Sequence, residues 1–151
     1  MRIQEKDRGA TILETAIVLP ILFAVLFGIM EFGRAYNIFQ TVTNAAREGA
    51  RYSVAPFAAG TANAGNLPTS SQVISQVQHF LKGDGVNVPD GKIVVVQNCT
   101  AAVDAAACPA VYGFTTLSYT KVTVTAPYTF FYFPFGTMNI SSRAVMRNET
   151  N

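Results

Sequence analysis

Tryptophan is missing from this chain, histidine occurs once, cysteine twice, and only 13% of the 151 residues are charged. Globular soluble domains average roughly 25% charged residues, so a large part of this chain is not composed to face water. The formal net charge is only +2, and no basic stretch is interleaved with aromatics, so the electrostatic footprint of nucleic-acid binding is absent. A single histidine, His79, and nine acidic residues leave little from which to assemble an active site. No Walker-type or GxGxxG loop, HExxH, GxSxG or paired-carboxylate constellation occurs. The expectation is a chain that is not an enzyme and carries no cofactor and no metal. Asp84, Asp90 and Asp104 sit in loop-like surroundings and read as turn residues.

Cys99 and Cys108 have eight residues between them, which matches neither CxxC redox spacing nor zinc-ligand spacing. In an exported protein they read as a local disulfide, worth roughly 2–3 kcal/mol in the chain-entropy model for a loop of about ten residues. Two small buried thiols are the alternative.

What is present in excess is apolar surface, half of all residues, and much of it forms one block. Residues 1–9 are polar and carry Arg2, Lys6 and Arg8 against Glu5 and Asp7. From Ala10 to Met30 the chain is apolar except for two threonines and Glu14. As a helix those 21 residues extend about 31 Å, the thickness of a bilayer's hydrocarbon core. The run ends in Glu31-Phe32-Gly33-Arg34 with no small-residue cleavage pattern, which favours a membrane-spanning helix over a secretory signal. Basic residues precede the span while Glu31 follows it. The positive-inside bias therefore predicts a cytoplasmic N-terminus and an external C-terminal domain. Pro20 removes one backbone donor and crowds the carbonyl of Ala16, so a helix kink is expected there. Glu14 either snorkels to the headgroups or awaits a positive partner inside an apolar bundle, since a charge at mid-span costs about 2.5–3.5 kcal/mol on insertion scales.

The segment Arg8-Gly9-Ala10-Thr11-Ile12-Leu13-Glu14 resembles the processing site of type IV pilin-like precursors. In that class a membrane peptidase cuts after the glycine, and a glutamate stands fifth in the new chain; cutting after Gly9 would put Glu14 fifth. A glycine suits a cleft built around extended backbone. The new ammonium of Ala10 would lie at a helix N-terminus, where the dipole disfavours it, and a neighbouring subunit's Glu14 could neutralise it and set the axial register of assembly. Over residues 8–51 the stretches RGATILETAIVLP, FGIMEFGRAY and NAAREGARY resemble the TadE-like family, the pseudopilins of tight-adherence (Flp-type) pilus systems. KVTVTAPY at Lys121–Tyr128 and ISSRAVMRNE at Ile140–Glu149 are similar to the closing strands of that family; roughly residues 55–115 carry no such resemblance. The resemblance implies a minor pilin or pseudopilin. Its partners would be other pilin subunits, the prepilin peptidase, an inner-membrane assembly platform and the lipid bilayer, with no nucleic acid. It also implies a single-pass protein of the cytoplasmic membrane that can enter an extracellular pilus. An anchored adaptor that keeps its leader and binds another envelope protein is the alternative. On a bacterial reading, the three glycosylation sequons, at Asn98, Asn139 and Asn148, are chance matches.

The expected fold is α+β and type IV pilin-like. A leader (1–9) precedes a transmembrane helix with an amphipathic extension (10–53), and an extracytoplasmic domain (54–151) supplies a small antiparallel sheet. Phe32, Ala35, Tyr36, Phe39, Val42, Ala46, Gly49 and Ala50 recur at helical spacing and predict the ridge on which that domain packs. A second helix is predicted over Ser71–Lys82, capped by Thr69 or Ser70 and ended by Gly83. Strands are predicted at Lys92–Gln97, Thr115–Tyr119, Tyr119–Ala126 and Asn139–Arg147. The run Tyr128–Phe135 holds six aromatics, Tyr128, Phe130, Phe131, Tyr132, Phe133 and Phe135, too many for one strand face to bury. Core and loop packing, a subunit interface and the membrane surface are the three uses open to it.

Overall fold

The computed structural model describes residues 4–57, 65–99, 118–132 and 136–148. Its first element, helix α1, runs unbroken over Gln4–Val54 and passes through Pro20. Helix α2 follows at Ser70–Gly83, then a 3-10 turn at Asp90–Lys92 leads into strand β1 at Ile93–Cys99. Strands β2, Tyr119–Thr129, and β3, Thr137–Arg147, complete an antiparallel sheet in the order β1-β2-β3. This is the α+β, pilin-like arrangement expected from the hydrophobic pattern, with α1 lying across the sheet and α2 beside it.

The period-2 alternation of β2 places its residues as the sequence suggests. Val122, Val124 and Ala126 are fully buried beneath α1, while Lys121, Thr123 and Thr125 face the opposite side. The register pairs Ile93 with Val124 and Val122 with Ala144, so apolar residues share the inner face of all three strands. β2 extends three residues past the predicted end, through Pro127 to Thr129. Beyond Val124 no residue of β1 pairs with β2, and a strand flanked on one side tolerates the missing proline donor. The predicted 115–119 strand appears only from Tyr119; residues 115–117 and the cysteine loop at 101–107 lie outside the described residues.

The predicted ridge of α1 is buried at Val42, Ala46, Gly49 and Ala50 and half-buried at Ala35, and departs from expectation only at its three large rings. Val42, Ala45, Ala46, Gly49, Ala50 and Ser53 are buried against the domain, continuing a line that begins at Glu31 and passes Ala35 and Ile38. Phe32, Tyr36 and Phe39 lie on the adjacent face and are exposed, with Phe32 and Tyr36 stacked on each other. Small residues decide the matter. A Cβ on Gly49 would collide with the Val77 side chain and sit 3.3 Å from Val122 Cγ1, so helix and sheet meet at a separation that excludes large rings.

Local signals fix α2 at both ends. The Thr69 N–H donates to Gln72 Oε1 at 2.8 Å, the N-terminal half of a capping box. At the other end Gly83 remains helical, and the left-handed residue is Gly85, with φ 74°. The Val86 N–H then reaches back to the Leu81 carbonyl at 2.9 Å. Val73, Val77 and Leu81 complete the core. At the far end of the sheet, Asn148 binds Thr120, Asn98 and Ser118 at 2.9–3.0 Å, fastening the end of β3 across both other strands.

Candidate functional site at the two ends of the apolar helix

Two groups of residues stand at opposite ends of the apolar stretch of α1. At the N-terminal end, Gly9, Ala10 and Glu14 are exposed. The i, i+4 spacing places Ala10 and Glu14 on one face of the helix, one turn apart. Glu14 has no ion pair among the described residues. α1 already begins at Gln4, so Gly9 lies within a helix rather than in the extended segment that a protease cleft would accept. From Ile12 to Met30 the large side chains are exposed throughout, giving a helix long and apolar enough to cross a membrane.

At the C-terminal end of that stretch a carboxylate is buried. Glu31, only 4% exposed, sits where the span ends. The Tyr128 hydroxyl, from the end of β2, donates to its carboxylate and lies 3.2 Å from the Glu31 carbonyl oxygen. The Phe131 N–H donates to Glu31 Oε1 at 3.2 Å. Arg34 Nη1, one turn further on, binds both carboxylate oxygens at 3.2 and 3.3 Å. Its guanidinium also lies 5.5 Å from the Tyr128 ring centre and 5.8 Å from that of Phe131. Each partner opposes the desolvation of the buried carboxylate. The Tyr128 hydroxyl above all, then the Phe131 N–H and the charge of Arg34, hold Glu31 below the usual glutamate range despite its burial. Burial, and next the hydrogen bond to Glu31, push the Tyr128 phenol up.

This clamp joins residues 97 positions apart and ties the end of the sheet to the point where α1 leaves the apolar stretch. It also settles the position of part of the aromatic run. Tyr128 is 1% exposed, with its hydroxyl turned inward, so of the three uses open to the run it takes core packing. Phe130 meets the Tyr128 ring edge-on, while Tyr132 stacks on Phe27 of α1 with ring centres 5.0 Å apart. Phe131 remains 76% exposed. Phe133 and Phe135 lie outside the described residues, as does Cys108; Cys99 is buried at the end of β1.

Helix α1 from Gly9 through the clamp to Arg51 is also the part of the chain that other proteins share. Residues 9–51 match the TadE-like protein family. No curated protein and no solved structure matches the chain. The TadE-like segment therefore contains Gly9, Ala10 and Glu14, the apolar stretch, Glu31 and Arg34, and the buried small residues up to Ala50. The sheet, Tyr128 and the aromatic loop lie outside it. The match covers 43 of the 151 residues, and the apolar helix within it is long enough for a single-pass membrane protein.

In the sequence Glu31 reads only as a charge flanking the apolar run. It falls on the 31, 35, 38, 42 line of buried residues, between Met30 and Phe32, with an arginine three positions on. His79, by contrast, stands exposed on α2. Among the described residues no group of three or more metal-ligating side chains is assembled.

Proposed function

We propose that this chain is a pseudopilin or minor pilin of a tight-adherence pilus, cut after Gly9 and assembled through α1. The observation that carries the proposal is Glu14, an acidic side chain exposed on an otherwise apolar helix surface, one turn from the residue whose amine the cut would free. A helix bundle would surround that surface with hydrocarbon, where a cation beside it makes the ionised carboxylate tolerable. The Ala10 ammonium of an adjacent subunit supplies one, and the pair holds only at one axial offset. Prepilin peptidase, neighbouring pilin subunits and the inner-membrane platform are the partners this requires, with the N-terminus inside and the sheet domain outside. Cys99 and Cys108 are assigned as a disulfide of the external domain; alkylation with and without prior reduction, read by mass, tests it, and labelling of both thiols without reduction would refute it.

Intact-mass analysis of the membrane-extracted protein tests the processing step. A chain beginning at Ala10 is expected; a chain retaining residues 1–9 in cells that contain the peptidase defeats the proposal. One observation favours a second reading, a permanently anchored adaptor. Gly9 lies inside a helix that starts at Gln4, so the peptidase must unwind a turn before it can cut. An adaptor would keep its leader and would function without Glu14.

A further inference from the structure

We propose that the loop Phe130–Tyr132 is a second membrane contact, an aromatic anchor seated at the headgroup–acyl boundary of the leaflet on the same side as the sheet domain. The inference rests on α1 spanning the bilayer but not on cleavage or pilus assembly. Its first support is depth. Tyr132 stacks on Phe27, four residues before Glu31, which places its ring about 6 Å below the clamp along the helix axis. Because the apolar stretch ends at Met30, that ring lies in the outermost part of the hydrocarbon layer, and the loop reaches it from the domain side.

The second support is that the central N–H of the loop is bonded inside the protein. Loop backbone is costly near hydrocarbon because its N–H groups lose water. Here the Phe131 N–H already donates to Glu31 Oε1, and the Tyr128 hydroxyl is held by the same carboxylate. The third is composition. Phe131, 76% exposed, projects beside Arg34, whose side chain is 44% exposed, and Tyr132, 37% exposed, lies against Phe131 and Phe27. Aromatic rings with a snorkelling cation at their edge suit the bilayer interface. This surface is continuous with the exposed apolar side chains of α1 that face lipid, such as Phe23 and Phe27. The occupant is therefore lipid, and the anchor fixes how the sheet domain is oriented over the bilayer.

The absence of tryptophan gives a direct test. Phe131→Trp introduces a single fluorophore at an exposed position, in the full chain reconstituted into phosphatidylcholine vesicles. Acyl chains brominated at a shallow carbon are expected to quench it more strongly than chains brominated deep, and aqueous iodide weakly. Phe39→Trp, twelve residues beyond Phe27 and about 18 Å further along the helix, is expected to show the reverse, strong iodide and weak lipid quenching. Phe23→Trp reports the span itself. If deep bromines fail to quench Phe23→Trp, the spanning helix is wrong and the anchor falls with it. If they quench it while Phe131→Trp responds to iodide alone, the anchor alone is refuted. Loss of lipid quenching at Phe131→Trp as the protein-to-lipid ratio rises, with iodide also excluded, would assign the loop to contact between copies and equally overturn the proposal.

Discussion

Replacing Tyr128 with phenylalanine removes one oxygen atom and leaves the buried ring in place, which isolates what the clamp contributes. The lost hydroxyl donates to the buried Glu31 carboxylate and approaches its backbone carbonyl, so no partner can be recruited from water without opening the site. Hydrogen bonds to charged groups contribute about 1.5–3 kcal/mol. In a domain of roughly 100 residues that corresponds to a fall in Tm on the order of 10 °C. The assay is thermal unfolding of the full chain in detergent, followed by the near-ultraviolet circular dichroism of its tyrosines. A local readout accompanies it. The Phe131 N–H shares the same carboxylate, so its hydrogen-exchange protection should fall in Tyr128→Phe, while the Val86 N–H, bonded to Leu81, should keep its protection relative to global stability. An unchanged Tm together with an unchanged Phe131 exchange rate would refute the claim that this contact fastens the sheet to the helix.

The same contact makes stability depend on pH from both sides. Glu31 is depressed in the folded state, so its contribution is present above the ordinary glutamate range and is lost as pH falls through the folded value; Tyr128 is raised, so its contribution is present below the ordinary phenol range and is lost as pH rises through the folded value. Unfolding followed against pH should show both losses in the native chain, and Tyr128→Phe should abolish the alkaline one and weaken the acid one. Gly49→Ala gains roughly 1 kcal/mol of helix propensity but forces Val77, a stiff β-branched side chain, to move, an overpacking cost of about 1–3 kcal/mol. A net loss of up to about 2 kcal/mol is expected in denaturant titration. Asn148→Ala leaves the buried Thr120 hydroxyl without its partner and removes the bonds to half-buried Ser118 and exposed Asn98, and should cost about 1–3 kcal/mol by the same titration.

Much of the fold was legible because it is written in local periods. The apolar run of α1, the Val73, Val77 and Leu81 face of α2 and the alternation of β2 each follow from spacing alone. Spacing also picked out Val42, Ala46, Gly49 and Ala50, but it could not supply whether the rings of the same stripe would be buried with them. Phe32, Tyr36 and Phe39 fit an amphipathic stripe as well as Ala45 and Gly49 do, and their burial depends on a helix–sheet distance that exists only after packing. The clamp was hidden for a related reason. Glu31 in isolation looks like a boundary charge, and its meaning comes from Tyr128, contributed by a strand 97 residues away. Gly85 rather than Gly83 takes the left-handed turn after α2, since both are followed by residues that could close the helix and only the chain's path to Val86 selects between them. At the N-terminal end, Gly9, Ala10 and Glu14 were legible as a motif, and the structure adds that Gly9 and Ala10 lie one turn before Glu14 on one exposed helix.

The role assigned to Glu14 is tested most directly by comparing Glu14→Ala with the native chain in membrane and sheared-filament fractions of the same cells. If a carboxylate paired with a neighbouring subunit's new amine admits the chain to the filament, the variant should reach the membrane at native abundance and be missing from the filaments. Equal amounts of native and variant protein in the filament fraction would contradict that pairing.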